Sequence, residues 1–138
     1  MPKVLVVDDE PLLLQMYGEK LRREGFAVDT ASTGQKGLEK ARTFQPHLIL
    51  LDILMPGMDG FQFLSALKND PEIKKIPVVF LTNLSRDEGD VNKGLELGAV
   101  AYFVKAHHTP SQVVTKVKKL IAAYSPKEEP PSSEKPAA

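Results

Sequence analysis

A parallel β-sheet with helices on both faces, an α/β fold, is what the 138 residues predict, on three observations. Five short apolar runs, most of them rich in β-branched residues, alternate with five segments of helical spacing. The runs lack the polar alternation of a sheet with one wet face, so both of their faces should be covered. No segment recurs at a fixed period, which excludes a solenoid.

The elements follow in order. Lys3–Val7 is the first predicted strand, and Leu14, Tyr17 and Leu21 then share one helix face until Gly25 stops it. Ala27–Ala31 is a weaker second strand. Gly34–Thr43 carries Leu38 and Ala41 and ends before Pro46. Leu48–Leu51 is the third strand, and Phe61, Leu64 and Leu67 form the stripe of a third helix that ends near Pro71. Val78–Leu81 is the fourth strand. A fourth helix is predicted over Ser85–Gly98, with Val91 and Leu95 as its apolar face and a terminal glycine. Ala101–Val104 is the fifth strand. In the last helix, Pro110–Tyr124, Val113, Val117, Leu120 and Ile121 face inward while Lys116, Lys118 and Lys119 stay in water. Right-handed crossovers leave few topologies for such a chain.

One domain, residues 1–124, fits this length. Residues 125–138 hold four of the eleven prolines and no large apolar side chain, so a disordered tail rich in Pro, Glu, Lys and Ser is expected there. Eighteen Lys+Arg balance eighteen Asp+Glu, which argues against a broad nucleic-acid surface. Without cysteine there is no disulfide framework, thiolate metal site or cysteine nucleophile. The apolar runs are too short to span a bilayer, and acidic residues arrive by Asp8, before any secretory h-region. A small cytoplasmic protein is the simplest expectation, with no membrane contact and no direct nucleic-acid binding.

In an open sheet of this kind ligands bind beyond the carboxyl ends of the strands. There the sequence places Asp8, Asp9 and Glu10 after the first strand and Asp52 after the third. Thr82 and Asn83 follow the fourth, and Lys105 the fifth. Any one of these could simply mark where a strand stops. Three carboxylates on neighbouring strand ends are different, because two held about 4 Å apart repel by about 4 kcal/mol at an effective dielectric near 20. One lysine does not neutralise three negative charges. Oxygen ligands without His or Cys suit Mg²⁺. Such a site suits phosphoryl transfer, which needs little beyond positioning and charge stabilisation. Asp52, alone on a central strand, is the natural nucleophile. Asp8 and Asp9 are paired as metal holders, and Lys105 and Thr82 are placed to meet the phosphoryl oxygens.

These residues carry a family resemblance. Val6-Val7-Asp8-Asp9-Glu10, Leu51-Asp52-Ile53-Leu54-Met55-Pro56-Gly57-Met58-Asp59-Gly60, Leu81-Thr82 and Tyr102-Phe103-Val104-Lys105 stand in this order at the ends of strands one, three, four and five. From Pro2 to about Tyr124 the chain resembles the receiver domain of two-component response regulators, in its stand-alone, chemotaxis-regulator-like form. The resemblance implies a flavodoxin-like, doubly wound (βα)5 fold with strand order 2-1-3-4-5 and five helices. It implies that Asp52 accepts a phosphoryl group from a phosphohistidine of a histidine kinase or histidine phosphotransfer protein. It also implies Mg²⁺ held by Asp9, Asp52 and the backbone carbonyl of Leu54, with Asp8 acting through a metal-bound water. Lys105 should pair with Asp52 and later with its phosphate. Thr82 should turn toward the phosphate and let Tyr102 move inward, which reshapes the surface of helix four, strand five and helix five for a downstream protein. A monomer or a phosphorylation-dependent dimer is expected, with phosphorylation self-catalysed rather than enzymatic turnover.

Two other functions compete. A metal-dependent phosphohydrolase using Asp52 would usually carry two aspartates separated by one residue, whereas Asp8 and Asp9 are adjacent, and no cap insertion is present. A degenerate receiver that only binds proteins would not be expected to retain all five site residues.

The chain departs from the family pattern at a few positions. Ala106 follows Lys105 where a proline after a cis peptide is frequent, and a cis bond before a non-proline costs about 3 kcal/mol. Asn83 stands where a smaller residue is usual. Leu54 and Leu84, two places after Asp52 and Thr82, offer no polar side chain to an attacking water, so slow loss of the phosphoryl group is expected. Leu54→Asn should accelerate that loss in a dephosphorylation time course; an unchanged rate would refute the reading.

The remaining motifs read as structure. His107-His108 is expected in a solvated loop rather than at a metal, and His47 should serve local solvation. Asp59-Gly60 reads as a turn and helix cap, and Met55-Pro56-Gly57 as turn chemistry. Gly34-Gln35-Lys36-Gly37 lacks the order of a phosphate-binding loop. The Lys116/Lys118/Lys119 cluster is a solvated helix face.

Overall fold

A computed structural model describes residues 1–83 and 88–124, the side chains of residues 88–90 excepted. The predicted start of the fourth helix, Leu84 and the tail 125–138 lie outside the described residues. Five parallel strands, β1 (Lys3–Val7), β2 (Ala27–Ala31), β3 (Leu48–Leu51), β4 (Val78–Thr82) and β5 (Ala101–Val104), form one sheet in the order β2-β1-β3-β4-β5. Helices α1 (Pro11–Arg23), α2 (Gly34–Phe44), α3 (Gly60–Lys68), α4 (Glu88–Glu96) and α5 (Pro110–Tyr124) connect and cover it. The doubly wound topology is the one the resemblance implied.

The period of two along each strand divides the core into two layers. Leu5 and Val7, Ile49 and Leu51, and Val78 and Phe80 pack with Leu38 of α2 and with Phe63, Leu64 and Leu67 of α3. Val4 and Val6, Leu48 and Leu50, and Val79 and Leu81 pack with Tyr17 and Leu21 of α1 and with Val113, Val114 and Val117 of α5. β3 is apolar throughout, and β1 and β4 are apolar apart from Lys3 at the start of one and Thr82 at the end of the other, because both faces are filled. Among the described residues no helix is long and apolar enough to cross a membrane.

Local chemistry sets the helix starts. Thr33 Oγ1 accepts from Lys36 N at 3.1 Å to open α2. Asp59 and Gln62 form a reciprocal capping box on α3, each side chain accepting from the other's backbone N–H at 2.9 Å. Asp59→Ala should therefore cost about 1 kcal/mol, read from a shift in the denaturant midpoint at unchanged slope.

Two expectations need correction. Leu95 does not face the core: it is 46% exposed, and Gly94 takes the inward position. A β-carbon on Gly94 would stand 2.9 Å from the Phe80 ring, so α4 lies close against β4 and turns Leu95 outward, while Leu97 just beyond it packs on the core. His47 does more than interact with water. Its ring Nδ1 accepts from the backbone N–H of Lys3 at 2.9 Å, and the His47 backbone N–H donates to the Lys3 carbonyl at 2.7 Å, which ties the start of β3 to that of β1.

Candidate functional site

Register brings the predicted site residues to one edge of the sheet. Val7 pairs with Ala31 on one side and Leu51 on the other, so Asp8 and Asp52 leave neighbouring strands side by side. Their backbones continue the ladder, Asp8 N donating to Ala31 O at 3.1 Å and Asp52 N to Val7 O at 3.0 Å. Asp8, Asp52 and Lys105 each follow the last residue of a strand. In the two-residue alternation they share the phase of Val6, Leu50 and Phe103, which sets them on the α1/α5 side.

One carboxylate oxygen each from Asp8, Asp9 and Asp52 lies within 4.8 Å of the others. Asp8 and Asp52 are buried, at 2% and 6% exposure, whereas Asp9 is exposed. The Lys105 ammonium reaches into this group, 2.8 Å from Asp8 Oδ2, 3.2 Å from Glu10 Oε1 and 3.5 Å from Asp52 Oδ2. Lys105 thus donates to Asp8 and Glu10, and Asp52 is its more distant partner. Asp8 Oδ1 accepts from Glu10 N at 2.9 Å, and Asp52 Oδ1 from Ile53 N at 2.8 Å. The Lys105–Ala106 peptide is trans, like every other described peptide bond, and Lys105–His107 forms a single 3-10 turn.

The electrostatics follow from burial. Desolvation raises the Asp8 pKa above its ordinary value; the hydrogen bonds from Lys105 and Glu10 N oppose this, and the Asp52 charge adds to it. Burial of Lys105 would lower its pKa, yet the hydrogen bond to Asp8 and the charges of Asp52 and Asp8 outweigh it and hold the ammonium above the ordinary lysine range. The site is a crowded anionic nest with one embedded cation.

Thr82 ends β4 fully buried, opposite Val104 in β5. Tyr102 pairs in register with Phe80, its half-buried ring 5.8 Å from the Phe80 ring, which meets Phe61 edge-on at 5.6 Å. Tyr102 is therefore packed on the α3/α4 layer and is not part of the carboxylate cluster. The Leu54 side chain is 57% exposed in the loop after Asp52. Glu10 was missed as a partner of Lys105; the only sequence signal is that it completes the acidic run before Pro11. His107 is exposed, and the half-buried His108 sits 5.1 Å from the Phe103 ring with Nδ1 3.2 Å from Val104 O.

The donor set fits a hard divalent cation. All three clustered side chains are carboxylates, two are buried, and Lys105 leaves their charge only partly balanced. A five-stranded parallel sheet with acids gathered at its carboxyl edge beside a lysine defines a receiver-type signalling module. Comparison with known proteins agrees: the sequence model of the response regulator receiver domain matches residues 4–118. The chain belongs to that family. It is 43% identical over 103 residues to the response regulator PleD of Caulobacter vibrioides, covering 75% of this chain and 22% of that one. It is 38% identical to the alkaline phosphatase synthesis transcriptional regulatory protein PhoP of Bacillus subtilis, over 86% of this chain and 48% of that one. The chain therefore spans between about a fifth and half of these curated relatives. Among solved structures, chemotaxis protein CheY4 of Vibrio cholerae superposes with TM-score 0.79 at 32% identity, over 86% of this chain and 98% of that one. A CheY-like receiver domain protein of Methanospirillum hungatei gives 0.81 at 29% identity, over 92% and 98%.

Proposed function

We propose that this chain is a cytoplasmic phosphoacceptor switch in which Asp52 takes a phosphoryl group from a phosphohistidine of a histidine kinase or histidine phosphotransfer protein. The observation that carries this reading is the gathering of Asp8, Asp9 and Asp52 at the carboxyl edge of the sheet, with Lys105 beside Asp8 and Asp52. An Asp52 carboxylate oxygen attacks phosphorus, the P–N bond breaks as the P–O bond forms, and neutral imidazole leaves from its protonated form. Asp9, Asp52 and the Leu54 carbonyl would hold Mg²⁺, with Asp8 acting through a bound water. The ion would supply charge neutralisation between these carboxylates and the incoming phosphoryl oxygens. Lys105, already 3.5 Å from Asp52, supplies a second positive charge, and the Thr82 hydroxyl accompanies it from β4.

The new charge on Asp52 is then read through Thr82 and Tyr102. The Phe61–Phe80–Tyr102 contacts link α3 through the middle of β4 to β5, and Gly94 brings α4 close against the same Phe80 ring, on the side where a downstream protein docks. No direct contact with nucleic acid is proposed, and the protein acts as a monomer or a phosphorylation-dependent dimer.

Incubation with acetyl phosphate and Mg²⁺ tests the reading by intact mass. One stable phosphoryl group per chain is expected, lost in Asp52→Ala and in EDTA. Turnover of many equivalents would favour the phosphohydrolase, and no incorporation would leave a degenerate receiver.

A further inference from the structure

We infer that Glu10 is a positioning residue that holds the Lys105 ammonium on the Asp8 side of the site until a phosphoryl group on Asp52 draws it away. The inference rests on the phosphoacceptor reading and adds a residue to it. Lys105 has three N–H donors, and two of them are committed, to Asp8 Oδ2 at 2.8 Å and to Glu10 Oε1 at 3.2 Å. Asp52 Oδ2 stands further off, at 3.5 Å. The resting lysine therefore leans toward the two acids that follow β1.

The two holding acids differ in kind. Asp8 is buried, and its Oδ1 is fixed by Glu10 N, so it moves little. The Glu10 side chain is 58% exposed and lies at the N-cap position of α1 without capping the helix. Its link to Lys105 breaks at small cost, since water takes the exposed Glu10 carboxylate while the Lys105 ammonium passes to the new phosphoryl oxygens. A contact made in one arrangement and given up in the other biases the equilibrium by its own free energy. Glu10 therefore weighs against the phosphorylated arrangement, and its removal favours that arrangement.

Beryllofluoride with Mg²⁺, titrated by calorimetry into the full chain, Glu10→Gln and Glu10→Asp, tests this. Glutamine should tighten binding about two- to fivefold, the span of an ion pair whose carboxylate stands in water. Aspartate keeps the charge but falls short of Lys105 and turns to the free amides of α1, so it should tighten binding as glutamine does. Aspartate matching the native chain while glutamine tightens would show a general charge effect and overturn the inference. So would two variants indistinguishable from the native protein. Failure of the native chain itself to bind beryllofluoride would instead overturn the phosphoacceptor reading.

Discussion

Gly60→Ala is expected to lose about 3 kcal/mol of folding stability, at the upper end of what overpacking costs. A β-carbon at Gly60 would stand 2.6 Å from the Asp52 carbonyl oxygen, 2.7 Å from Ile53 Cα and 3.1 Å from the Phe80 ring. The first two are backbone atoms of the loop that follows β3 and carries Asp52, so no side chain can swing aside. Gly60 N donates to the Ile53 carbonyl at 2.8 Å, and that bond fixes the start of α3 against the loop. Relief of the clash must move α3 or the Asp52 backbone, so Mg²⁺ affinity should fall together with stability. Gly57→Ala is the internal contrast. Gly57 has φ +79° with nothing near the added carbon, so only the left-handed backbone strain remains, about 1 kcal/mol. Urea denaturation in EDTA checks both; a Gly60→Ala loss below that of Gly57→Ala would contradict the close approach.

Asp8→Asn should stabilise the metal-free protein at neutral pH by about 1 kcal/mol, roughly 4 °C in Tm for a chain of this size. Desolvation, with the Asp52 charge behind it, raises the Asp8 pKa despite the hydrogen bonds from Lys105 and Glu10 N. A carboxyl with a raised folded pKa binds its proton more tightly in the native state. Its contribution to stability is present below the ordinary value of 3.8 and is lost as pH rises through the folded value. The gain from asparagine should therefore appear as pH rises above about 4 and vanish below it. Lys105, whose folded pKa is raised, gives stability that is complete below 10.5 and is lost only as pH rises through its folded value, so it leaves this window untouched. Magnesium should reverse the order. At a hundred times its Kd the ion stabilises the native chain by about 2.7 kcal/mol. Loss of an outer-shell carboxylate weakens metal binding about 10- to 100-fold, which leaves asparagine a gain of only about 0.4–1.4 kcal/mol. Thermal melts in EDTA and in Mg²⁺ decide it; an unchanged order in the two buffers would remove Asp8 from the cation site.

Much of this site is legible in the sequence alone. The β-branched runs ended at Asp8, Asp52 and Lys105, and the structure ends its strands at Val7, Leu51 and Val104. The fourth strand runs one residue further than its apolar run, to Thr82 itself. Asp59 read as a cap and forms a capping box. The fourth helix was harder to read, because Leu95 looked like a core residue in a spacing that Gly94 in fact satisfies. Helical periodicity locates a stripe only to within one position when small residues are counted as silent. His47 gave no local sign of its bond to Lys3, 44 residues away.

The sequence by itself determined, to within one residue, where strands stop and which acids, hydroxyl and lysine stand at one rim. Strand length, turn chemistry and the two-residue alternation are all written within a few neighbouring residues. The tertiary structure alone decided that Lys105 leans on Asp8 and Glu10, partners 97 and 95 residues distant, with Asp52 further off. Differences of tenths of an ångström among three competing carboxylates depend on strand register, burial and the placement of α1. No local pattern encodes those quantities.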